Sequence, residues 1–231
     1  MRQLHKLYLE NAWFFMGYLL FLLIGGGLLA LMETGDMVLW FSARRSEPAN
    51  LLFTFATQLG EPIAFIGVLL LLSGIALRPA LYLPVLGFCV TVVAFLAKKA
   101  FRHSRPLAYF EDAGLAAQLV LVPGVEVHSG ATSFPSGHTM AGFALFAFLA
   151  FALPYKKWAG LACLALAAAV GLSRVYLAQH FFKDVYFGSF LGVALSASCY
   201  LLMQRPKKQW LDLNLWQALR SLRKGELPGA S

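Results

Sequence analysis

Carboxylates are scarce in this chain, 11 Asp and Glu among 231 residues, and they are scattered. No stretch gathers several of them, so the acidic ligand sets that hold Mg²⁺ or Ca²⁺ are not to be expected. Cysteine is rarer still. Cys89, Cys163 and Cys199 each sit inside an apolar run, where a thiol behaves as a small hydrophobe, and their spacing excludes both a disulfide framework and a zinc-ligand pattern. Charged residues of both signs make up 13% of the chain, against about 25% in a soluble domain. With 59% hydrophobic residues and a mean hydropathy of +0.68, a water-soluble fold is excluded and an integral membrane protein is expected. The net charge of +8 is spread over short basic clusters between apolar runs, the pattern that membrane topology imposes, so nucleic acid is not an expected partner. There is no internal repeat and no low-complexity segment, and one membrane domain over residues 1–231 is the expectation.

Six apolar runs are present: Ala12 to Met32, Pro62 to Leu77, Leu81 to Ala97, Met140 to Leu153, Trp158 to Leu172 and Val185 to Met203. They predict an all-α membrane protein, a bundle of six transmembrane helices. The first run follows a basic N-terminus but is longer than a signal-peptide core and has no small-x-small cleavage site, so it is expected to stay as a span. Between the first two runs, Glu33 to Glu61 mixes apolar and charged residues and suits interfacial helices, with Trp40 as anchor. At the far end, Leu211, Leu215, Leu219 and Leu222 recur at helical spacing among basic residues, which makes 204–231 an expected cytoplasmic amphipathic tail. An even span count puts both termini on one side. Arg78, Lys156, Lys157 and the tail cations Arg205, Lys207 and Lys208 make that side the cytoplasm. Lys98, Lys99, Arg102, Arg105, Arg174 and Lys183 then lie on the other face, against the positive-inside rule. Binding an anion there would explain them.

Those outward cations flank three polar clusters. In the first, Lys98, Arg102 and Arg105 share a face if the third span continues as a helix, until Pro106 stops it. The second is Phe134-Pro135-Ser136-Gly137-His138, where an extended loop turns into the first turn of the fourth span. Free backbone N–H groups at that turn favour an anion, and an imidazole stands beside them. The third runs from Ser173 to Asp184. His180 and Asp184, four apart, can pair so that the carboxylate fixes the tautomer and leaves the second ring nitrogen free, and Arg174 adds a planar fork suited to phosphate oxygens. Two imidazoles, several cations and a helix N-terminus on one face are what phosphoryl transfer requires, with no metal or other cofactor expected.

In these three clusters the sequence resembles the type 2 phosphatidic acid phosphatase family of membrane lipid phosphatases, whose signature is K-x6-R-P, P-S-G-H and S-R-x5-H-x3-D. All three parts are present in order between residues 98 and 184. The resemblance implies His180 as the nucleophile that forms a phosphohistidine, Asp184 as its orienting carboxylate and His138 as the acid for the leaving group. Lys98, Arg105, Ser136, Gly137 and Arg174 would hold the phosphate. Arg102, His103 and Ser173 are candidates for an outer layer of contacts, and Lys99 and Lys183 for headgroup contacts. The connection from Leu107 to Ser133 either selects the headgroup or merely covers the bundle, with Ser133 expected at an accessible position. The implied activity is hydrolysis of a lipid phosphomonoester or diphosphate at the periplasmic face of a bacterial inner membrane. Undecaprenyl diphosphate ranks first, with phosphatidylglycerol phosphate, phosphatidic acid and lipid A phosphates as alternatives, and a non-enzymatic lipid-phosphate transporter as the competing class.

Overall fold

The computed structural model describes residues 2–205 and 208–225, so the expected tail cation Lys207 and the end of the tail fall outside the described residues. Among the described residues every regular element is a helix, and 119–136 form an irregular connection. In order the chain forms α1 (Arg2–Glu10), α2 (Ala12–Leu31), α3 (Asp36–Ser42), α4 (Glu47–Gln58), α5 (Pro62–Ile75), α6 (Leu77–Phe101), α7 (Pro106–Asp112), α8 (Gly137–Ala152), α9 (Lys156–Tyr176), α10 (Phe182–Met203) and α11 (Leu215–Lys224).

Among the described residues four helices are long and apolar enough to cross a membrane, namely α2, α6, α9 and α10, and α4 with α5 makes a fifth candidate broken by a 63° bend. The remaining expected span, the fourth in order, is α8, which has only 16 residues, about 24 Å of rise against a hydrocarbon core of about 30 Å. Its setting explains the shortness. Twelve of its residues are buried, and it packs on α6, α9 and α10, so its ends are set by the Ser136 cap and the Leu153-Pro154 step rather than by lipid. The peripheral α2 is the opposite case, with Leu19, Leu20, Leu23 and Ile24 all turned outward. Contact between α8 and α10 is close enough to require glycine: a Cβ on Gly192 would lie 2.5 Å from the Met140 carbonyl oxygen.

The interfacial segment expected before α5 does contain two helices, but α4 packs against α9 instead of lying free along a surface. Arg78, placed by the sequence in a connection, belongs to the first turn of α6 and is buried. Its Nε and Nη2 donate to the two carboxylate oxygens of Asp212 at 2.6 and 3.0 Å, and the Leu77 N–H donates to the Leu213 carbonyl at 2.8 Å. The segment ahead of α11 is thereby fastened to the start of α6. The end of α6, the start of α8, the end of α9 and the start of α10 meet at the opposite end of the bundle, about 30 Å further along α6.

Candidate active site

Each signature residue reaches this end by its own local device. Lys98 is in the last turn of α6, and its Nζ lies 3.7 Å from where a Cβ on Gly137 would be. The helix does not continue to Arg105 as the sequence suggested. It ends at Phe101, and Arg102 takes a left-handed conformation with φ 47° and ψ 47°. Pro106 forces Arg105 into an extended conformation as the N-cap of α7. Arg105 therefore enters the site from a turn, buried, with Nε donating to Thr132 Oγ1 at 3.2 Å and Nη1 to the Gln179 carbonyl at 3.1 Å. The same turn leaves Arg102 and His103 exposed, with the His103 ring against Phe101 and Phe134, so neither makes the outer-layer contact expected of it. The hydroxyl of Ser173, fully buried, donates back to the Val170 carbonyl at 2.6 Å within α9.

Ser136 caps α8, its Oγ accepting from the Thr139 N–H at 3.4 Å and from Thr139 Oγ1 at 2.9 Å. The N–H groups of Gly137 and His138, in the first turn of α8, have no carbonyl partner within the helix. Arg174 lies in the last turn of α9, where Nη1 donates to Thr57 Oγ1 at 2.5 Å and Nε finds no acceptor among the described residues. After α9 the chain turns through Ala178 at φ 53°, a conformation costing a residue with a Cβ roughly 1 kcal/mol. Two N–H groups, of Gln179 and His180, then return to the Arg174 carbonyl at 2.9 and 3.1 Å. This turn, rather than a helix, places His180.

The His180 to Asp184 pairing is looser than the sequence spacing implies. Nδ1 is 3.6 Å from Asp184 Oδ2, and Ser133 Oγ is between them, donating to Oδ2 at 2.5 Å and lying 3.4 Å from Nδ1. Asp184 is fully buried at the third position of α10, and Oδ2 also accepts the Phe181 N–H at 2.9 Å. Ser133 was expected at an accessible position and is instead fully buried. His180 is pushed down to about 4 from its ordinary 6.5, burial being the largest cause; the Asp184 carboxylate pulls the other way, and Arg174 and Arg105 push further down. It is therefore neutral at pH 7.

His138, Lys98, Arg105, Arg174 and His180 are close enough to act on one another electrostatically, so the three sequence clusters do converge. Among the described residues no carboxylate is within ion-pairing reach of Lys98, Arg105 or Arg174, and Asp184 and Glu61 act on the two arginines only at longer range. No group of three His, Cys, Asp or Glu side chains gathers there or elsewhere among them. Three contributors were missed from sequence: Thr57, Glu61 and Ser133. Only Ser133 had a local signal, being three residues before Ser136.

The 107–133 connection covers this end. Phe110 and Val122 are buried and Gln179 Nε2 donates to the Glu126 carbonyl at 2.7 Å, whereas Glu111 and Asp112 are exposed. A cavity of about 670 Å³ opens between α5, α6 and α8. Lys98 and Gly137 are at its head, and Phe65, Leu69, Leu83 and Val90 lie along its walls. From Lys98 to Leu83 it follows α6 for about 22 Å.

Comparison with known proteins places the fold and the family. The chain matches the profile of the PAP2 superfamily over residues 64–208. It is 38% identical over 77 residues to phosphatidylglycerophosphatase B of Bacillus subtilis, covering 30% of this chain and 38% of that one. It is 32% identical over 126 residues to a lipid A 1-phosphatase of Rhizobium johnstonii, covering 52% and 48%. The matches thus span less than two thirds of these relatives' own lengths. The fold superposes on the crystal structure of Aquifex aeolicus LpxE with a TM-score of 0.60 at 22% identity, over 72% of this chain and 94% of that one. A profile match over more than half the chain, joined to an unbroken signature whose parts meet in space, makes this integral membrane protein a member of the PAP2 superfamily.

Proposed function

We propose that this protein is a membrane lipid phosphatase that hydrolyses a phosphomonoester headgroup through a phosphohistidine on His180. The observation that carries the proposal is the set of three cations, Lys98, Arg105 and Arg174, which have no carboxylate at ion-pair distance among the described residues and lie around two imidazoles. A tetrahedral dianion would satisfy them, with the first turn of α8 supplying further N–H donors. Nδ1 of His180 faces Ser133 and Asp184, which leaves Nε2 with the lone pair. As Nε2 bonds to phosphorus, the ester P–O bond breaks and its electron pair leaves on the lipid oxygen, which takes the proton of His138. In the second step water attacks phosphorus, the P–N bond breaks with its electron pair returning to His180 Nε2, His138 receives the proton of the water, and inorganic phosphate departs. The reaction runs without a metal.

An isoprenoid diphosphate, ranked first from sequence, is the less favoured substrate. The relatives are named for phosphatidylglycerophosphate and for the 1-phosphate of lipid A, both phosphomonoesters, and these alternatives take its place. The apolar cavity descending from Lys98 has the length and lining for a lipid chain. The whole chain acts as one membrane unit, with α5 and α8 completing six spans. Both termini are cytoplasmic and the site faces the periplasm of a bacterial inner membrane. The test is phosphate release by purified protein from a panel of lipid A, phosphatidylglycerophosphate and undecaprenyl diphosphate. Monoesters are expected to turn over fastest, EDTA to have no effect, vanadate to inhibit, and His180→Ala to be inactive though folded. Activity near wild type in that variant would overturn the proposal.

A further inference from the structure

Outside the signature, the elbow between α4 and α5 touches the site at three points. Thr57 accepts from Arg174 Nη1 at 2.5 Å. Gly60 backs onto the start of α8 so closely that a Cβ there would lie 2.9 Å from the His138 carbonyl oxygen. Glu61 follows, and its Oε1 is 3.7 Å from His138 Nε2, at ion-pair distance. The elbow is held against α9 and α8 by the first two contacts, which brings the Glu61 backbone within side-chain reach of His138.

That carboxylate meets a need the signature leaves open. An acid for the leaving group must carry its proton when substrate binds, yet His138 is partly withdrawn from water and lies near Arg174, Lys98 and Arg105, and near His180 when that ring is charged. Each of those makes a further positive charge on the ring harder to hold. Asp184 is committed to Ser133 and the Phe181 N–H. Glu61 alone among the described carboxylates is at ion-pair distance from His138.

We propose that Glu61 is a positioning residue for His138, pairing with its ring at Nε2 and keeping it charged so that a ring proton is available to the departing lipid oxygen. In the phosphorylation step the P–O electron pair moves onto that oxygen, the His138 proton neutralises it, and Glu61 remains a carboxylate throughout. The proposal rests on the reading of His138 as the acid. It extends that reading to a residue outside the three motifs.

The experiment compares two leaving groups in the full-length protein in detergent. Lysophosphatidic acid expels an alkoxide that needs a proton, whereas p-nitrophenyl phosphate expels a phenolate that does not. Because kcat/KM covers only the steps up to phosphohistidine formation, it isolates this transfer. Glu61→Gln is expected to lower kcat/KM for lysophosphatidic acid by about tenfold or more, and for p-nitrophenyl phosphate by less than about threefold. The basic limb of its pH profile on the lipid should move to lower pH, and Glu61→Asp should restore part of that limb. A loss equal on both substrates with an unmoved limb would show Glu61 to be merely structural and overturn the inference. His138→Ala separates the two levels. A leaving-group-dependent loss in His138→Ala without one in Glu61→Gln overturns the role of Glu61 alone. Equal losses in His138→Ala overturn the acid itself. Should Glu61→Gln fold poorly, the pH limb of Glu61→Asp decides the same question.

Discussion

Arg78 and Arg174 stand near opposite ends of the bundle, and both are buried guanidinium groups in terminal turns of long helices. They are spent differently. Arg78 donates to both oxygens of Asp212 and to the carbonyls of Met203 and Lys208, so its charge is answered within the fold. Arg174 has a threonine hydroxyl, no carboxylate at ion-pair distance and an Nε without an acceptor among the described residues. A buried cation left in that state costs free energy unless something else completes it. The contrast separates a cation that holds the chain together from one left with no carboxylate among the described residues, which in the proposed function is completed by the substrate phosphate.

Substitution should break the two apart most widely. Arg174→Ala is expected to lose about 10² to 10³ in kcat/KM. Arg174→Lys should recover little of it, because a point charge does not reproduce the planar fork. Arg78→Ala should keep activity within a few-fold and lower the melting temperature by about 2–4 °C, the shift that about 1 kcal/mol makes at this size. Phosphate-release kinetics and thermal unfolding of both variants in one detergent measure the difference. If Arg78→Ala were the more damaging to catalysis, the division of roles would be wrong.

The same contrast shows what the sequence made legible. Lys98, Ser136, Arg174, His180 and Asp184 could be read because each is at or beside the end of an apolar run, and run ends sort by membrane face whatever the details of packing. The shared face of Lys98, Arg102 and Arg105 was misread, because a left-handed residue at Arg102 ends α6 without a glycine to announce it. Thr57 and Glu61 could not be found at all. They matter only because a 63° bend between α4 and α5 carries them back against α8 and α9; Gly60 and Pro62 mark the break in the sequence, but not what the bend packs against. Arg78 looked like one more topology-setting cation, since its partner Asp212 is 134 residues away.

A finer test uses charge rather than removal. The cations near His180 push its protonation down and Asp184 pulls it up, with burial outweighing both. The kcat/KM profile of the wild type should therefore keep a neutral nucleophile down to about pH 4. The substrate phosphate adds its own limb near pH 6. Asp184→Asn removes the one influence that raises His180, so its acid limb should shift further down while the substrate limb stays fixed. A His180 limb that moves upward in Asp184→Asn would contradict the electrostatics of the site.

The smallest effect is expected at the satisfied end. Arg78 holds the Asp212 carboxyl below its ordinary value, chiefly through their hydrogen bonds. A carboxylate lowered in the folded state stabilises above its unfolded value, near 3.9, and that contribution is lost as pH falls through the lowered folded value. The Asp212 side chain is 63% exposed, so solvent screens the pair and its worth is about 0–1 kcal/mol. Thermal unfolding of wild type and Asp212→Asn should then differ by a few degrees at most at pH 7, and the gap should narrow as the pH is lowered past 4. A gap that persists unchanged in acid would mean that the clasp is held by the neutral hydrogen bonds of Arg78 to the Met203 and Lys208 carbonyls, with Asp212 a bystander. In that case the guanidinium at this end would be tied by backbone, and its contrast with Arg174 would lie in geometry rather than in charge.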